Sequence, residues 1–144
     1  GIMALWTAIY CQDAASLVTW GGVSDMFLTY LERIDLRRML KRVIGGTPNR
    51  LPDEYKDRTP LYEVDKILCD VLIIHGEKDV NVSVEHANLL RSRLKDQGKE
   101  VDVWYFKDCT HYFPPKINRQ IVRDLTKWMK EKALSGTIEV NGRS

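Results

Sequence analysis

Asp79 and His111 are the two residues whose type and position could do chemistry, and each follows a short apolar run. Val71, Leu72, Ile73 and Ile74 are consecutive, His75 and Gly76 close the run, and Glu77, Lys78 and Asp79 come next. Residues 101–106 (VDVWYF) are followed by Lys107, Asp108, Cys109, Thr110 and His111. An unbroken, β-branched run reads as a strand buried on both faces, as in a parallel sheet. Open parallel sheets collect ligands and reactive groups beyond the C-terminal ends of their strands. A carboxylate and an imidazole meeting there are the acid and base of a Ser–Asp–His triad. The carboxylate fixes the ring tautomer and stabilises the imidazolium, while the other ring nitrogen moves the proton. The ordinary pKa of histidine, near working pH, suits that task. Taken singly, Asp79 reads as a loop carboxylate bonded to backbone amides and His111 as a loop histidine. The pair, each member after its own strand, carries the catalytic reading.

The other reactive side chains read more plainly. His75, inside the strand end, is expected to hold the loop that carries Asp79. His86 lies on a helix and is expected away from the strand mouth, as a surface or packing histidine. Ser24 has no G-x-S-x-G around it and so reads as a turn or cap residue rather than a nucleophile. Arg37, Arg38, Lys41 and Arg42 form a basic cluster that reads as a solvated face, because Glu32 and Asp35 stand within pairing distance along a helix. Cys11, Cys69 and Cys109 are odd in number and lack C-x-x-C spacing. They are expected as free thiols in a reducing compartment, hence a cytoplasmic protein with neither disulfide nor zinc site. Gly21-Gly22 and Gly45-Gly46 lack G-x-G-x-x-G spacing, so no phosphate loop, metal or cofactor is called for.

The elements that must position the pair follow from periodicity and breakers. Residues 1–12 read as a helix apolar nearly all round, and therefore buried. Residues 16–20 (SLVTW) are a strand ended by Gly21-Gly22. Residues 25–44 read as one helix with Phe27, Tyr30, Leu31 and Ile34 on one face, stopped by Gly45-Gly46-Thr47-Pro48. Residues 48–60 hold three prolines and read as a connection. A short helix over 61–68 feeds the Val71 strand. Ser83 caps an amphipathic helix over 83–97 that turns Val84, Ala87, Leu90 and Leu94 inward. A closing helix over 118–134 ends at Gly136. The pattern is α/β: a three-layer α/β/α arrangement around a mostly parallel sheet. Its domain spans residues 1–135, with a cap-like helical insertion at about 25–62 and a polar tail at 136–144. The length of 144 residues suits one domain with a core, and a net charge of +2 gives no argument for nucleic acid or an anionic membrane. No apolar run approaches the roughly 18 residues of a membrane-spanning helix.

Three stretches together resemble the C-terminal part of the catalytic domain of prolyl-oligopeptidase-type serine peptidases, with acylaminoacyl- and dipeptidyl-peptidase-like members nearest. They are residues 58–67 (RTPLYEVDKI), 71–82 (VLIIHGEKDVNV) and 109–113 (CTHYF). Gly1, Ile2, Met3 and Ala4 resemble the residues just after the nucleophile in that family's elbow. The family often has proline just before the Val71 strand, where this chain has Asp70. The resemblance implies the C-terminal portion of an α/β-hydrolase fold, in which the triad runs Ser, Asp, His along the chain. It implies Asp79 as the acid and His111 as the base. It places the nucleophile about two or three residues before Gly1 and the oxyanion donors with it. The whole protein is then expected to hydrolyse peptide or small ester bonds, and the present chain by itself to be inactive. The chain is also expected to self-associate, or to bind the N-terminal half of the same protein, through an open edge on the strand at 16–20. Two readings stay open beside this one: a carboxylesterase or thioesterase of the same fold, and a non-catalytic α/β interaction module.

Overall fold

In the computed structural model the described residues are 2–142, with side chains described through residue 134. The elements run α1 (Ile2–Tyr10), β1 (Ser16–Trp20), α2 (Met26–Glu32), α3 (Arg37–Ile44), α4 (Pro52–Asp57), β2 (Asp70–Gly76), α5 (Val84–Asp96), β3 (Val101–Phe106) and α6 (Pro115–Gly142). One 3₁₀ turn covers Ile34–Leu36 and a longer 3₁₀ segment covers Pro60–Lys66. The three strands form one wholly parallel sheet in the order β1-β2-β3, with Leu72 opposite Val18 and Asp102. Parallel neighbours need crossovers that place helices on the sheet faces. One face carries Leu17, Val71 and Ile73 under Leu5, Ile9, Leu61, Ala87, Leu90 and Leu94. The other carries Leu72 and Ile74 under Phe113, Ile121 and Trp128. Val71, Leu72, Ile73 and Ile74 are each at most 2% exposed, which is why β2 reads as an unbroken apolar run.

Several expected elements come out differently. The helix expected over residues 25–44 is broken into α2, the 3₁₀ turn and α3. Arg33 leaves the helix at φ −103° and ψ 79°, and its guanidinium donates at 2.8 Å to the Asn81 carbonyl and bridges Asp35. Leu31 and Ile34, expected on the inner face, are exposed at 67% and 72%. The connection over residues 48–60 contains α4. Pro52 opens that helix, and Tyr55, fully buried, donates from its hydroxyl to the Gly46 carbonyl at 2.9 Å. Tyr55 joins Leu40 and Ile44 in a small separate cluster. The first helix is buried on one face only, since Met3 and Tyr10 are largely exposed. Ser83 occupies the N-cap position of α5 without a capping bond, because its hydroxyl donates to Glu32 instead. Gly136 does not stop α6, whose backbone runs on to Gly142. A glycine weakens a helix by about 1 kcal/mol without ending it. The polar tail at 136–144 lies outside the described side chains. Among the described residues, no helix is long and apolar enough to cross a membrane.

Candidate functional site

The ends of β2 and β3 are locked together before any side chain is considered. Glu77 N–H donates to the Phe106 carbonyl at 3.0 Å, and Lys78 N–H donates to the Cys109 carbonyl at 3.0 Å. Gly76 makes this approach possible. A Cβ there would lie 2.6 Å from the Thr110 carbonyl oxygen and closer still to that of Cys109. Only a residue without a side chain lets the loop after β3 cross the end of β2 so tightly.

That crossing brings Asp79 to His111. His111 Nδ1 donates to Asp79 Oδ2 at 2.8 Å. The second carboxylate oxygen, Oδ1, accepts the backbone N–H groups of Asn81 and Val82, both at 2.9 Å. Asp79 is 5% exposed, so its charge is held by directed donors rather than by water. Because a carboxylate oxygen accepts, Nδ1 carries a proton, and in the neutral ring Nε2 then carries the lone pair. The His111 side chain is 32% exposed and lines an open groove of ≈ 430 Å³ with Trp20, Tyr112, Phe113, Asn118 and Val122. An imidazole backed by a buried carboxylate, with its outer nitrogen at a groove, can take a proton from a hydroxyl and return it to a leaving group.

Behind Asp79 stand two more histidines, both sealed from solvent. His75 is 1% exposed and donates from Nε2 to the Val82 carbonyl at 2.7 Å, with that nitrogen 3.6 Å from Asp79 Oδ2. It therefore clamps the loop that bears Asp79. His86 is 2% exposed. It is a packing histidine, but it does not lie away from the strand mouth. Its Nδ1 accepts from Ser24 N–H at 3.2 Å and Asp25 N–H at 3.4 Å, and its carbonyl accepts the Ser24 hydroxyl at 2.7 Å. Burial, reinforced by His75 and opposed by Asp79, pushes the His86 pKa down to about 4. The ring is neutral, as a nitrogen that accepts from two N–H groups must be. Ser24 is 1% exposed and committed to His86. Asp25 caps α2 by accepting from Phe27 N–H at 2.9 Å. Gly21 also belongs to the site. It has φ +59°, and a Cβ on it would lie 3.3 Å from the His111 ring and 3.5 Å from Asp79 Oδ2.

The sequence reading missed Gly21 and the position of His86. The signal for His86 was available: a residue in the first turn of the helix after β2 must sit near the strand mouth, because the loop joining them is short. Arg37, in the basic cluster, spends its guanidinium on the carbonyls of Tyr30 and Leu31. Among the described residues, no group of three or more His, Cys, Asp or Glu side chains could hold a metal ion. Cys11 is exposed, Cys69 partly buried and Cys109 buried, and all three are free thiols.

Residues 1–136 match the prolyl oligopeptidase family. The chain belongs to that family. It is 61% identical over 133 residues to the uncharacterized peptidase YtmA of Bacillus subtilis, covering 92% of this chain and 52% of that protein. It is 30% identical over 110 residues to dipeptidyl-peptidase 4 of Giardia intestinalis, covering 72% of this chain and 14% of that one. The chain thus spans about half the length of the first relative and a smaller share of the second. Among solved structures, a Pyrococcus horikoshii acylaminoacyl peptidase superposes with a TM-score of 0.68 at 22% identity, over 77% of this chain and 18% of that one. A puromycin hydrolase does so with a TM-score of 0.75 at 21% identity, over 92% and 20%. These superpositions carry the fold: the three parallel strands and their helices are part of an α/β-hydrolase peptidase architecture.

Proposed function

We propose that Asp79 and His111 are the acid and base of a serine peptidase that cleaves peptide bonds through an acyl-enzyme. The observation that carries this is the 2.8 Å bond from His111 Nδ1 to Asp79 Oδ2, made by a buried carboxylate whose other oxygen is fixed by two amides. His111 Nε2 takes the proton of a serine hydroxyl as that oxygen attacks the scissile carbonyl. It then delivers the proton to the leaving amine, and Asp79 stabilises the imidazolium between the two steps. Ser24 and Ser83 are committed to His86 and Glu32, and among the described residues no serine hydroxyl is bonded to His111. On this reading the nucleophile lies in sequence outside these 144 residues, and this chain alone does not turn over substrate. Peptides are favoured over esters because both curated relatives carry peptidase names. The three free thiols favour a reducing, cytoplasmic setting.

β1 pairs with β2 on one edge only, and through its other edge the isolated chain joins a second copy or the remainder of its own protein. Sedimentation at micromolar concentration tests this; a single monomeric species at all concentrations would refute it. The catalytic reading is tested in the full natural chain with a fluorophosphonate probe. Wild type is labelled on a serine within G-x-S-x-G, and His111→Ala slows labelling by at least about 10³-fold. Equal labelling rates, or a label on Ser24, would overturn it.

A further inference from the structure

The loop between β1 and α2 touches the His111–Asp79 pair at one end and His86 at the other. Gly21 lies against the His111 ring and Asp79 Oδ2, and it is tied to β2 by its N–H to the Ile74 carbonyl at 2.9 Å. Three residues on, the backbone of Ser24 and Asp25 donates to His86 Nδ1, and the Ser24 hydroxyl closes the same contact by donating to the His86 carbonyl. These bonds span 61 and 62 residues of sequence, so they fix the tertiary position of the loop.

We propose that His86 is a positioning residue for His111: by accepting from Ser24 and Asp25 it holds residues 21–25 in the place where Gly21 backs the His111 ring. This rests on the reading of His111 as the base. Nothing else in the contact supplies an acceptor for the two N–H groups. A ring that must accept at Nδ1 has to stay neutral, and its burial beside His75 keeps it so. With the Nδ1 acceptor gone, the backbone of Ser24 and Asp25 loses its tie to α5 and Gly21 keeps its Ile74 bond, while Met26 N–H still donates to Thr59 Oγ1 at 3.1 Å. The His111 ring then loses the fixed backing of Gly21, and the Nδ1–H bond to Asp79 lengthens. His86 touches neither substrate nor the reacting atoms; it acts through the loop.

The geometry sets the test, because the accepting atom has a defined place. Asparagine carries an oxygen where histidine carries Nδ1, glutamine carries its oxygen farther out, and leucine fills the space with no acceptor. The full natural chain is prepared as wild type, His86→Asn, His86→Gln and His86→Leu, and the His111 Nδ1–H proton is followed by ¹⁵N-edited NMR. The expected result is a protected Nδ1–H signal in wild type and His86→Asn, and its loss to solvent exchange in His86→Leu and His86→Gln. Amide exchange of β2 serves as the folding control. Two variants lose the acceptor at the Nδ1 place, so one misfolded protein does not remove the test. A His111 signal equally protected in all four proteins would overturn the proposal, as would its loss in His86→Asn with β2 intact. Failure of the underlying reading looks different: His111→Ala would then leave the fluorophosphonate labelling rate of the full natural chain unchanged, whatever the NMR signals show.

Discussion

On one side of Asp79 the groups are buried and tied to backbone: His75 to the Val82 carbonyl, His86 to Ser24 and Asp25, and the amides of Asn81 and Val82 to the carboxylate itself. On the other side stands His111, one-third exposed on a loop of exposed neighbours, with Tyr112 at 80%. Both sides hold imidazoles, yet they differ in what surrounds them. His75 and His86 are sealed among backbone partners, and burial lowers the His86 pKa so that its ring stays neutral. His111 has a carboxylate on one side and an open groove on the other. The same residue type thus serves as a fixed packing group on one side and is reachable from solvent on the other. The sealed side makes the open side accurate, since a carboxylate held by the Asn81 and Val82 amides as well as by His111 cannot wander from its ring.

The comparison is broken most severely at Gly76. Gly76→Val places a side chain into the carbonyls of Cys109 and Thr110, which are backbone and cannot turn aside. The expected cost is about 3 kcal/mol, read as a fall in the urea midpoint, together with separation of His111 from Asp79. An unchanged midpoint would mean that the two loops do not cross as described.

A smaller effect, and one that sharpens the comparison, is the pH dependence of His86. Its pKa is about 4 in the folded chain and 6.5 in an ordinary setting. Between those values the unfolded chain binds a proton that the folded chain refuses. Stability is therefore complete above pH 6.5 and declines as pH falls toward 4. The loss is about 3 kcal/mol at most, at ~1.4 kcal/mol per pH unit. His75 and Asp79 face the same ring with opposite effects, so the test is a difference: wild type against His86→Asn, which cannot titrate there. Urea midpoints that fall in parallel for both proteins from pH 6.5 to pH 4 would contradict a buried, neutral His86.

The smallest effect belongs to the open side. Lys78 and Asp108 pair at 3.1 Å across the same two loops, with side chains 62% and 85% exposed. Water screens such a pair, and Asp108→Asn is expected to change stability by less than about 0.5 kcal/mol. A loss several times larger would mean that this loop junction depends on its surface charges and not on Gly76 and the backbone bonds.

How far the sequence could be read follows the same division. β2 was legible because Val71 to Ile74 are buried on both faces, and a strand of that kind writes itself as one apolar run. The Asp79–His111 pairing was foreseeable because a parallel sheet brings the C-terminal ends of successive strands together. The stretch from α2 to α4 was not legible. Its helix breaks at Arg33, whose guanidinium is drawn to Asn81, 48 residues away, and no local periodicity encodes that. α4 was hidden by prolines that elsewhere signal loops but here open a helix at Pro52. His86 was placed on the right element but away from the strand mouth, although its place in the first turn after β2 puts it near; what no local pattern encodes is its partners, 61 and 62 residues earlier.

The most direct test of the central claim is the turnover number of Asp79→Asn in the full natural chain, measured on a peptide p-nitroanilide. Asparagine keeps the shape of the carboxylate and its place in the sealed side, but it no longer offers two anionic acceptors to the amides and to His111. The account predicts a fall in kcat on the order of 10⁴-fold, with KM altered far less. A variant that retained kcat within a few-fold of wild type, while folded, would show that the bond between Asp79 and His111 is structural and that the catalytic base lies elsewhere.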